Sequence, residues 1–187
     1  APEVETSQQK MTNLHSAHIG VHGADKMGVL SVGQPGIRFV EFVLPRGVSA
    51  RDISDFYTNT IRCSVSMGST SSGVDCCLVS VGPGIHLVFV EVPSSTEDPS
   101  LLSQIGDTDE EALFHAMKGV HLCIYAHNFR ALYGRLQERS LIWTNPRFTH
   151  LDTCDTWEEA KMSRTLRFRH IVDAQNKVLM ELEHETR

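Results

Sequence analysis

An α+β fold made of two tandem βαβββ modules is predicted by three observations. An apolar opening strand occurs twice, at residues 39–45 and 120–125. Each is followed by a helix-forming stretch with a wide residue spacing of i, i+3, i+4 and i+7: Ile53, Phe56, Tyr57 and Thr60 in the first copy, Phe129, Leu132, Tyr133 and Leu136 in the second. Each copy then closes on an apolar strand that ends in acid, residues 85–91 with Glu91 and residues 178–184 with Glu181 and Glu183. A repeat of this kind points to paired modules, because one copy alone leaves a sheet face to be covered.

The elements follow in order. Residues 1–36 are rich in Gly, Ser, Thr and His and end in the turn signal Gly33-Gln34-Pro35-Gly36, which predicts an extension over the body. The first module spans 37–92, with residues 68–73 as a hairpin connection and Gly82-Pro83-Gly84 as a second turn. Residues 93–118 form a linker in which Asp107 or Thr108 is placed to cap a helix through Phe114 and Met117. The second module spans 119–187 and carries an insertion at 144–160, ending in a short helix from Trp157; such insertions often cover a cleft or meet a partner.

Composition narrows the function classes. The chain has 187 residues, 41% apolar and 21% charged, as in a globular protein, and no apolar run approaches the ~18 residues of a membrane-spanning helix. A net charge of -6 repels phosphate backbones, so no nucleic-acid partner is expected. Arg164, Arg167 and Arg169 read as a solvated strand face. The cysteines are Cys63, Cys76, Cys77, Cys123 and Cys154; an odd count without CxxC spacing predicts free thiols in a reducing, intracellular compartment, with at most one of Cys76 and Cys77 facing the core. The chain starts at Ala1 without a charged-then-apolar leader, so any targeting peptide is expected to lie outside it. No GxSxG, P-loop, GxGxxG or HExxH pattern occurs, which sets aside serine-hydrolase, nucleotide-phosphate and zincin chemistry.

The stretches His121-Leu122-Cys123-Ile124 with Leu132-Tyr133, and Met180-Glu181-Leu182-Glu183-His184, resemble the vicinal oxygen chelate superfamily of glyoxalase I, fosfomycin-resistance proteins and extradiol dioxygenases. The resemblance covers about residues 39–185 and implies one cupped mixed sheet with the helices outside. It also implies a divalent metal (Fe, Mn, Ni or Zn) held from the first and last strands of each module, acting as a Lewis acid on two neighbouring substrate oxygens. On that pattern His121 and Glu181 are the metal ligands of the second module. Glu183, on the strand face of Glu181, is a candidate to support those ligands or to act as a general base, the alternative being a residue that reaches solvent at the mouth. The first module departs from it, since Phe39 and Val88, or Phe89 one register on, fall where ligands belong; Glu41 and His86 are displaced alternatives. Residues 145–186 are also similar to glyoxalase-like proteins of photosynthetic algae, which admits a chloroplast address.

Two functions are expected from this. One is a degenerate glyoxalase-like protein, kept as a binding module or accessory subunit of a larger assembly. The other is a metal-dependent lyase, isomerase or dioxygenase acting on a small molecule. A protein partner or homodimer suits either. The alternatives to metal binding are a hydrogen-bonded core role for His121 and an ion pair of Glu181 with Arg167 or Arg169. His184 is expected at the surface or at an interface, on the strand face opposite Glu183, and His15, His18 and His22 are read as unrelated loop histidines. Trp143, Phe148 and Trp157 are expected to form a small core beneath the insertion, the alternative being to cap the cup or dock on another protein.

Overall fold

The computed structural model describes residues 18–21, 37–92 and 121–187. The predicted linker helix, His15, His22 and the turn at 33–36 lie outside these residues. The elements are β1 (His18–Val21), β2 (Ile37–Val43), α1 (Ala50–Phe56), β3 (Val65–Ser69), β4 (Asp75–Gly82), β5 (Ile85–Val90), β6 (Leu122–Ile124), α2 (Phe129–Glu138), α3 (Trp157–Ser163), β7 (Leu166–Val172) and β8 (Val178–Thr186). The fold is α+β, as the repeat predicts.

The strands form two mixed sheets, one per module, so the mixed sheet implied by the resemblance is divided between two hydrogen-bonded ladders. The first has the order β1-β2-β5-β4-β3 and the second β6-β8-β7. In each module the opening strand lies parallel to the closing one, β2 beside β5 and β6 beside β8, while the remaining pairs are antiparallel. A parallel neighbour needs a crossover, which the intervening helix supplies.

The first sheet is apolar on both faces. Phe42 stacks on Phe89 with ring centroids 5.2 Å apart, and the fully buried Cys77 and Val79 share their face. On the other face Cys76, Leu78 and Val88 form a second buried cluster, joined by Phe39 and Val90. Cys76 and Cys77 are therefore both buried, which corrects the expectation that only one would be: neighbouring residues point to opposite faces, and here both faces are covered. Side chains buried this fully contribute roughly 1.5–3 kcal/mol each for Val, Leu or Phe.

Ser49 precedes helix α1, and its hydroxyl accepts from the Asp52 amide at 3.1 Å. The acid that ends the first module's closing strand has a structural duty at the same place: Glu91 Oε1 accepts from the Ala50 amide at 2.7 Å, putting negative charge at the helix N-terminus. After Phe56 the chain continues as a wider π-helical turn, Tyr57–Ile61, closed by Arg62 in the left-handed region at φ 71°.

Two compact units result. One holds residues 18–21, 37–54 and 63–92, and the other holds 55–62 with 121–187. The last turn of the first module's helical segment thus belongs with the second sheet. Arg135 and Arg139 of α2 hold it there: Arg135 Nε donates to the Thr60 carbonyl and Arg139 Nη1 to the Thr60 hydroxyl, each at 2.6 Å.

The second module has three strands among the described residues where four were expected. Residues 141–144 run where the missing strand would lie, and the Trp143 amide donates to the Arg167 carbonyl at 2.9 Å. Asn145-Pro146 then ends any ladder, because proline offers no amide hydrogen and restricts the residue before it. The chain turns back through 146–155 into α3, where Thr156 and Glu159 form a reciprocal capping box. The Tyr133 hydroxyl secures this return by donating to the Asp155 carbonyl at 3.1 Å.

Candidate functional site

Strand β8 sorts its side chains by the period of two. Met180, Leu182, His184 and Thr186 are buried on one face, while Glu181, Glu183 and Glu185 lie on the other. The register sets Glu185 opposite Cys123 of β6 and opposite Arg167 of β7. His121, just before β6, falls on the same face as Cys123. The turn-back segment adds Asn145, Phe148 and Asp152, giving a polar cluster on a single sheet face.

Arg167 is its centre. Its guanidinium lies 2.8 Å from Glu185, 3.1 Å from Glu183 and 3.5 Å from Asp152, and it sits over the Phe148 ring at 4.9 Å. The residue is 4% exposed, which corrects the expectation of a solvated arginine. A buried cation persists only when paired. Burial acts to lower the Arg167 pKa, but the carboxylates of Asp152, Glu185 and Glu183 outweigh it and raise the value. Glu185 shows the converse: burial pushes its pKa up, and the hydrogen bond from Arg187 with the charges of Arg167, Arg187 and His121 brings it below the usual range.

The predicted residues are distributed within this arrangement as follows. His121 Nε2 faces Glu185 at 3.2 Å. Its other nitrogen, Nδ1, is buried without a hydrogen-bond partner among the described residues. Glu181 lies beside Arg169 at 3.5 Å, in a pair with 48% of the glutamate side chain exposed. Glu183 pairs with Arg167 at 3.1 Å through Oε1 and accepts from the Asn145 amide on both carboxylate oxygens, at 3.0 and 2.9 Å. In the first unit Phe39 and Val88 belong to an apolar cluster, and the buried His86 Nδ1 has no hydrogen-bond partner among the described residues.

As arranged, these side chains do not fit a divalent metal. The carboxylates nearest to one another are already bound to a guanidinium, and His121 faces one of them. Among the described residues no group of three His, Cys, Asp or Glu side chains is placed to hold a metal ion.

His184 is the main residue misread from sequence. It is fully buried, its ring stacks on Phe168 at 4.3 Å, and its nitrogens lie 2.7 Å from the Tyr57 hydroxyl and 2.7 Å from the Leu182 carbonyl. The signal was present: alternation puts His184 on the face of Met180 and Leu182. Trp157 gathers Phe129, Tyr133 and the Arg130 guanidinium, the last at 4.3 Å, forming the small aromatic core expected beneath the insertion. Trp143 and Phe148 instead carry arginines, Trp143 lying under Arg169 at 5.0 Å.

No family model matches the chain, and no curated protein matches it. Among solved structures, UcmS2 is similar over 82% of this chain and 98% of its own, at 15% identity and a TM-score of 0.42. A lactoylglutathione lyase from Agrobacterium tumefaciens is similar over 81% of this chain and 91% of its own, at 12% identity and a TM-score of 0.39. At TM-scores below 0.5, the fold assignment rests on the strand order of this chain itself.

Proposed function

We propose that this chain is a glyoxalase-like protein with a degenerate metal site, serving as a binding module or accessory subunit rather than as a catalyst. One observation carries the reading: Arg167 fills the polar face of the second sheet with a fixed positive charge and takes up Glu183, Glu185 and Asp152. A guanidinium offers hydrogen bonds in a plane and has no open coordination position, so it neutralises carboxylates without polarising a substrate oxygen. The apolar Phe39 and Val88 of the first module point the same way. The buried free thiols Cys76, Cys77 and Cys154 suit a reducing compartment, and a chloroplast address remains part of the proposal.

A metal-dependent enzyme is the second reading. Its support is the buried Nδ1 of His121 and that of His86, neither with a hydrogen-bond partner among the described residues, since an imidazole nitrogen left open in this way is available to a metal. Elemental mass spectrometry on protein purified without chelator separates the two. The first reading expects far less than one equivalent of Fe, Mn, Ni or Zn, unchanged in His121→Ala and Glu181→Ala. Near-stoichiometric metal that is lost in both variants overturns it and establishes the second.

A further inference from the structure

We propose that the Tyr57–His184 pair is an acid-sensitive latch: neutral His184 holds the segment Asp55–Arg62 on the second unit's sheet, and a proton on its Nε2 releases that segment. The Leu182 carbonyl can only accept, so His184 Nδ1 carries the hydrogen and donates at 2.7 Å. Nε2 is then the acceptor, and the Tyr57 hydroxyl donates to it, also at 2.7 Å. Protonating Nε2 sets an N–H against that O–H. The hydroxyl must then turn its hydrogen away into the apolar surroundings and accept from Nε2 instead, and a positive charge appears in a fully buried ring.

Among the described residues no neighbouring element offers that charge a carboxylate; its two contacts, the Tyr57 hydroxyl and the Leu182 carbonyl, are neutral. From β7 the contact is the Phe168 ring, with Arg167 on the opposite face; from β6 the residue in register is Leu122. On β8 itself, Glu183 and Glu185 point to the other face and are bound to Arg167. The segment presents Tyr57 and Phe56, while its charged residues Asp55 and Arg62 are exposed. The charged groups of α2 that meet the segment, Arg135 and Arg139, are themselves cations. Burial lowers the His184 pKa to about 4, the Leu182 hydrogen bond being the one opposing influence.

The sign follows from linkage. The released state takes up a proton near 6.5, the ordinary histidine value, and the latched state only near about 4. The latch is therefore at full strength above 6.5 and weakens as pH falls from there towards 4. The arginine contacts do not titrate in this window, so the response belongs to His184.

The test is hydrogen exchange on the full chain at pH 7.5 and 4.5, with rates corrected for the intrinsic effect of pH. Protection of residues 55–62 should fall roughly 50-fold or more at the lower pH, while α2 and the β7–β8 ladder stay protected. His184→Gln keeps a hydrogen-bonding group but cannot charge, and should reduce that loss to less than about threefold. If this variant fails to fold by far-UV circular dichroism, the pair Tyr57→Phe with His184→Phe supplies the uncharged latch, with the same expectation. Equal protection of 55–62 at both pH values overturns the proposal. So does a simultaneous loss across α2, β7 and β8, or an equal acid response in the uncharged variants.

Discussion

Arg167 Nη2 lies 2.8 Å from Glu185 Oε2, with 5% and 6% of the two side chains exposed. Replacing the cation alone, as in Arg167→Met, leaves Asp152, Glu183 and Glu185 facing one another without a counter-charge. A loss of about 3–5 kcal/mol is expected in urea denaturation. A loss below about 1 kcal/mol, the range of exposed pairs, would show that this cluster is far better solvated than its burial indicates.

Glu181 provides the contrast on the same strand. Its partner Arg169 is 35% exposed, and at 3.5 Å the pair is long. Glu181→Gln should change stability by no more than about 0.5 kcal/mol in the same measurement.

The pH dependence of the cluster has a definite direction. The folded Glu185 pKa is below its ordinary value, so its ion pairs add stability above that value and lose it as pH falls through the folded pKa. The stability gap between the wild type and Glu185→Gln should be constant above about pH 5 and should narrow below it. A gap that widens on acidification contradicts the ion-pair assignment.

Glu91 makes a prediction for the first unit. Glu91→Ala removes the carboxylate that accepts from the Ala50 amide, and about 1 kcal/mol of stability should go with it. Glu91→Gln keeps an acceptor and should recover part of the loss, which chemical denaturation of both variants would measure.

Thiol labelling followed by peptide mapping reads burial directly. The exposed Cys123 should react first and the half-buried Cys63 more slowly. Cys76, Cys77 and Cys154 should react only on unfolding, since burial raises all three thiol pKa values and pushes that of Cys77 up to about 12. Early modification of Cys77 would contradict the packing of the first sheet.

Local periodicity determined much of this protein. The spacing of Phe129, Leu132, Tyr133 and Leu136 is enough to draw α2, and it buries Leu132, Tyr133 and Leu136 as expected. The alternation along β8 likewise separates an apolar face from an acidic one, because successive side chains on a strand must point to opposite sides. What periodicity cannot give is the identity of the residue across the ladder. That Glu183 and Glu185 meet Arg167, that His121 meets Glu185, and that Glu181 is left to an exposed arginine are consequences of strand register and of a proline-directed turn. Only the tertiary structure decided that Tyr57, from the first module's helical segment, meets His184 127 positions later. A strand pattern records which face a side chain takes; the partner that satisfies a buried polar group arrives from far along the chain, and its placement depends on how the whole sheet and its helices close around it.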